Sequence, residues 1–261
     1  MSQGQAVAIL MYHATYGDTS PLAAVDAADR PYAVSETAFA AHLDALAARG
    51  HQFVDASVFT QHAQCEKPVL LSFDDGHQSN AQFVAPVLAE RQLPGLFFIT
   101  TDWTDTRETF CTCSDLRAMV AQGMTLGSHG CSHAFIADLD TARARAELAD
   151  SKMKLEDILG QAIDSLSFPG GRFGARDLHL AAELGYRWVY GSVFGVHPVG
   201  AGGVINRLPV REGMDGEAVS TLCDPSSLGY RRARMSSKLK SKAKRLLGNG
   251  VYDAIYRKFA T

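Results

Sequence analysis

Val69-Leu70-Leu71-Ser72-Phe73-Asp74-Asp75-Gly76 is the stretch on which the fold turns. A short run rich in apolar and aromatic residues, introduced by Pro68, reads as a buried strand. Two adjacent carboxylates follow at its C-terminal end, where parallel α/β folds place their sites. Gly76 permits a sharp turn there. Neighbouring side chains point different ways, so one carboxylate could hold a metal while the other faces a substrate. A simple Asp-Gly turn is the competing reading.

Working outward, the same unit repeats. Ala6–Tyr12, Gly95–Thr100, Met124–Gly127, Ser165–Phe168, Trp188–Ser192 and Val204–Val210 read as further strands. Between them lie helical patterns: one capped by Ser35 and stopped at Gly50, then Gln78–Arg91, one capped by Ser114, Leu139–Leu159 ending at Gly160, and Ala175–Leu184. Strands alternating with helices predict a parallel sheet with crossover helices. Periodicity alone leaves open whether that α/β sheet closes into a barrel.

Two further strand ends carry chemistry. Gly127-Ser128-His129-Gly130-Cys131-Ser132-His133 places two histidines four apart, 55 residues after Asp74. With a carboxylate they would make a three-ligand site with open positions; a loop with two solvated histidines is the alternative. Phe168-Pro169-Gly170-Gly171-Arg172-Phe173-Gly174 could bring backbone N–H groups against an oxyanion, and Arg172 could hold a carboxylate ionised; an ordinary Gly-rich turn is the alternative. His13 ends the first strand, where a histidine is either functional or a structural residue with its hydrogen bonds made.

Composition excludes several classes. The 261 residues are 46% hydrophobic and 20% charged with net charge −3, ordinary for a globular domain and unlike a nucleic-acid binder. The five cysteines form no secreted-type framework, and Cys111 and Cys113 are a weak metal pair. The longest apolar run is Ala6–Tyr12, far below the ~20 residues of a membrane span, and no Lys or Arg precedes it. The compartment expected on these grounds is the cytoplasm.

The order Phe-Asp-Asp-Gly, Ser-His-x-x-x-His, Phe-Pro-x-Gly resembles the polysaccharide deacetylases, carbohydrate esterase family 4, over roughly residues 6–210. The resemblance implies a distorted (β/α)7 barrel as a single domain over residues 1–225, and metal-assisted removal of an acetyl group from a sugar. By position, Asp74 matches the general base, and Asp75, His129 and His133 match the ligands of a divalent metal, often zinc. Gly170 matches the oxyanion donor, and Arg172 lies near the arginine that steadies the base. The family's late Leu-x-His is missing, since Val204-Ile205-Asn206-Arg207-Leu208 stands there. The opening Met11-Tyr12-His13 resembles the branch acting on poly-N-acetylglucosamine, whose motifs are circularly permuted and whose N-terminal histidine is the acid. That makes His13 the acid candidate. The expected partner is an N-acetylated sugar or oligosaccharide, lipid-linked ones included, with no nucleic acid. A formamido-sugar deformylase and a non-catalytic carbohydrate-binding barrel are the alternatives.

Residues 226–261 read as a basic helical extension. Residues 231–258 carry ten Lys or Arg against Asp253 alone, while the rest of the chain has 15 basic and 27 acidic residues. Leu239, Ala243, Leu246 and Leu247 recur at helical spacing. Such a helix could lie on an anionic membrane, or pack its stripe on the barrel and leave the lysines in water.

Overall fold

The computed structural model describes residues 5–18, 21–27, 29–60 and 65–247. Seven parallel strands close into a ring: β1 (Ala6–Tyr12), β2 (Pro68–Phe73), β3 (Leu96–Ile99), β4 (Thr125–Ser128), β5 (Ser165–Ser167), β6 (Trp188–Phe194) and β7 (Ile205–Pro209). Each pairs with the next, and β1 closes the ring between β7 and β2. The fold is therefore the seven-stranded α/β barrel. Gln52–Phe53 and His197–Pro198 add short outer pairings to β2 and β1.

Helices α1 (Glu36–Ala48), α2 (Ala85–Glu90), α3 (Cys113–Ala121), α4 (Thr141–Leu159), α5 (Ala175–Glu183), α6 (Gly216–Leu222) and α7 (Leu228–Leu247) complete the chain. Ser35 caps α1, its hydroxyl accepting from the Ala38 N–H. The α4 helix ends on Gly160 in the left-handed region. The cap of α3 is Thr112 rather than Ser114: Thr112 and Asp115 form a reciprocal capping box. The helix expected over Gln78–Arg91 opens as a wide π turn at Asn80–Val84 before α2. Pro86, which has no N–H to give, sits at its junction with α2.

The alternation of strand side chains sorts the core. Ala8, Leu10, Tyr12, Val69, Leu71 and Phe73 pack outward under the helices. Val7, Ile9, Leu70, Leu96, Phe98, Tyr190 and Ile205 fill the barrel interior. Continuing the inward register two residues at a time leads from Leu70 through Ser72 to Asp74, and from Ile205 to Arg207. Apolar residues thus plug the lower interior, and polar groups are carried to its C-terminal mouth.

Candidate active site

Asp74 lies at that mouth, 3% exposed. Arg207, fully buried, donates to both its carboxylate oxygens at 2.7 Å. The Arg207 Nε donates to the Gly191 carbonyl, and its Nη2 also reaches the Ser167 hydroxyl at 2.8 Å. Burial pushes the Asp74 carboxyl up, but Arg207, with His129 and His13, more than offsets it and holds it below the usual carboxylate range. The arginine on Asp74 is therefore Arg207, not Arg172. Arg172 pairs instead with Asp138 at 3.5 Å and lies over the Phe135 ring at 4.0 Å. It follows a turn outside the sheet, whereas Arg207 projects inward from a strand.

Asp75 leaves the strand in the left-handed region at φ +77°, followed by Gly76 at +82°. Such backbone is costly for a non-glycine residue. It swings the second carboxylate towards the histidines while Asp74 stays in register. Asp75 Oδ1 lies 3.3 Å from the Nε2 of both His129 and His133. The His129 Nδ1 faces the Ser167 carbonyl at 2.7 Å, so it carries the proton and turns the Nε2 lone pair towards Asp75. The Nε2 atoms of both histidines and the buried Asp75 Oδ1 converge on one point. That donor set fits a divalent metal with open positions, and it is the sole such cluster among the described residues. Cys111 and Cys113 take no part in it.

The histidine loop is held from α4. Glu147 Oε2 accepts from the Cys131 and Ser132 N–H groups at 2.9 and 3.0 Å, and its Oε1 accepts from the Ser132 hydroxyl at 2.6 Å. His133 itself sits at φ +64°, and the Trp103 ring packs 5.2 Å from its imidazole. Trp188 and Phe173 are half-buried against the core, and Tyr190 is wholly buried in it.

His13 lines one small cavity with Asp75, Asp29 and His77, about 10 Å³ in volume, room for a single water. Its ring packs 4.9 Å from Tyr32. Gly170, at φ +60°, occupies the tight turn Pro169–Gly171. Pro169 lies beside Gly130 of the histidine loop. The Gly171 and Arg172 N–H groups close the turn onto the Phe168 and Pro169 carbonyls, and the Gly170 N–H has no partner among the described residues. Arg207, Ser167, Glu147 and Asp29 were not among the sequence candidates. A lone arginine inside an apolar strand was the signal for the first.

Residues 61–189 match the polysaccharide deacetylase family. The matched segment contains Asp74, Asp75, His129, His133, Gly170 and Arg172, and excludes His13 and Arg207. YxkH of Bacillus subtilis (strain 168) is 28% identical over 184 residues, 69% of this chain and 62% of that protein. The chain thus matches less than two thirds of that relative's length. Among solved structures, the Streptococcus pyogenes deacetylase PplD in complex with acetate superposes with a TM-score of 0.75 at 22% identity, covering 85% of this chain and 100% of that one. IcaB from Ammonifex degensii superposes at 0.71 with 22% identity, over 89% and 98%. Both share the fold of the barrel described here.

Proposed function

We propose that this protein is a metal-dependent hydrolase that removes the N-acetyl group from an amino sugar of a surface polysaccharide or glycolipid. The observation that carries the reading is the adjacency of two differently held carboxylates: Asp74 locked on Arg207, Asp75 facing two histidine nitrogens. Asp75, His129 and His133 would hold the metal, and the two-imidazole, one-carboxylate set suits zinc. When bound, the metal supplies Lewis-acid polarisation of the acyl carbonyl. Asp74, kept ionised by Arg207, takes the proton from the attacking water. The Gly170 N–H donates to the oxygen on which negative charge develops. His13 donates a proton to the departing amine, which is a poor leaving group without one. Its place on the wall it shares with Asp75 supports that role, as does the resemblance to the poly-N-acetylglucosamine branch. The substrates we infer are N-acetylated oligosaccharides, lipid-linked precursors among them.

The test pairs metal content with acyl release. Wild-type protein and the Asp75→Ala and Asp74→Asn variants are analysed for bound transition metal, then incubated with N-acetylated oligosaccharides while acetate and formate are followed separately. About one metal per chain in wild type and Asp74→Asn, none in Asp75→Ala, and acetate from wild type alone is expected. Formate without acetate would reassign the acyl group. Sugar binding with no release and no metal would turn the site into a binding barrel.

A further inference from the structure

The last helix carries a surface that the barrel does not use. On α7, Leu228, Met235 and Leu239 are 69%, 62% and 62% exposed. Spacings of seven and four residues place the three within about 40° of one another around the helix. Tyr230, about 200° round from Leu228, is 4% exposed. Its ring packs 5.3 Å from Phe194 and its hydroxyl accepts from the Val196 N–H. Ala233 packs against the same core. One face of α7 is therefore anchored to the barrel, and the large apolar side chains stand on the other. A helix that served only to cover the barrel would present the reverse.

Charge says what that face meets. Leu228–Leu247 contains eight Lys or Arg and no acid, in a chain whose other residues carry 17 basic and 28 acidic side chains. Arg231, Arg232, Arg234, Lys238 and Lys240 are exposed and form no ion pair among the described residues. Arg231, Arg232 and Lys238 lie within about 80° of the stripe on either side. An apolar stripe bordered by long cationic side chains suits the interface of an anionic bilayer. There the stripe enters the acyl boundary and the cations reach the headgroups. A nucleic acid would use the cations but leave Leu228, Met235 and Leu239 in water.

We infer that α7 is an interfacial membrane helix that holds the barrel on an anionic lipid surface. The inference stands apart from the deacetylase reading, because no residue of the mouth takes part.

The experiment is co-sedimentation of the full chain with large vesicles of phosphatidylcholine, alone or with phosphatidylglycerol. Binding to the anionic vesicles is expected, about tenfold or more above the neutral ones, and weaker as salt rises. A Leu228→Ser, Met235→Ser, Leu239→Ser variant is expected to lose it with unchanged metal content and circular dichroism. An Arg231→Gln, Arg232→Gln, Lys238→Gln variant is expected to lose the anionic preference. Equal binding to both vesicle types, full binding by the serine variant, or retention of homopolymeric RNA with no vesicle binding would each overturn the inference.

Discussion

Arg207 and Asp74 are joined by two parallel hydrogen bonds of 2.7 Å, Nη1 to Oδ1 and Nη2 to Oδ2, across 133 residues of chain. Both are almost wholly buried. A forked pair of this kind fixes orientation as well as charge. It aims the carboxylate at the barrel mouth and denies it the proton that burial would otherwise favour.

Arg207→Ala should cost about 3–5 kcal/mol of stability, because it strands a buried carboxylate; denaturant unfolding measures this. Arg207→Lys keeps the charge but not the fork. It should raise the Asp74 carboxyl and move the acid limb of the kcat/KM profile to higher pH. Asp74 is depressed in the folded protein, so its contribution to stability is present above the unfolded carboxylate value. That contribution is lost as pH falls through the lower folded value. An acid limb unmoved in Arg207→Lys would remove Arg207 from its positioning role.

The proposed metal should be lost as pH is lowered. Burial alone lowers the His133 imidazole, but Asp75 more than offsets this, with Asp29 and Asp74 adding, so it holds its proton above the ordinary histidine value. A metal ligand must be neutral imidazole. Affinity should therefore fall as pH drops through the raised value. Asp29→Asn should shift that fall to lower pH, as read by zinc competition titrations at stepped pH. A pH dependence identical in the variant would exclude Asp29 from the site's electrostatics.

Glu147 is expected to act on the metal without touching it. Glu147→Ala releases the two N–H groups and the hydroxyl that brace the histidine loop, and should weaken metal binding by about 10–100-fold. Glu147→Gln, which keeps an acceptor oxygen, should recover part of it. Equal affinities in all three proteins would show that the loop holds itself.

His13→Ala should separate two substrates. Removing the proposed acid should slow amide cleavage by about 10²–10⁴-fold, and slow cleavage of an aryl acetate, whose leaving group needs no proton, far less. Equal losses on both would give His13 a structural role.

The strand ends were legible because each motif is local. Phe-Asp-Asp-Gly and Ser-His-x-x-x-His announce themselves within seven residues, and the strand before the first is rich in apolar residues. Arg207 was not legible as the partner of Asp74, since nothing local links the β7 strand to β2. Arg172, beside a glycine turn, was the more conspicuous arginine. The readable clue lay in Ile205-Asn206-Arg207-Leu208, where the inward register of Ile205 takes a cation into the lumen. The α3 cap at Thr112 is written in Thr-x-x-Asp, although Ser114, a residue type that also favours the N-cap, stands two residues later. The α6 helix escaped because Gly216–Leu222 is two turns long and opens on glycine. The basic extension was half legible. Its charge was plain, whereas Tyr230 as anchor depends on contacts with Phe194, and residues 248–261 lie outside those described.

Ring closure through β1 has a practical consequence for dissection of the protein. The family-matched stretch 61–189 holds β2 to β5 and only the first residues of β6, without the two strands that join its ends. Expressed alone it would be an open ribbon with raw, hydrogen-bond-hungry borders, prone to stick to its own copies. The smallest fragment worth purifying therefore starts before Ala6 and runs beyond Pro209.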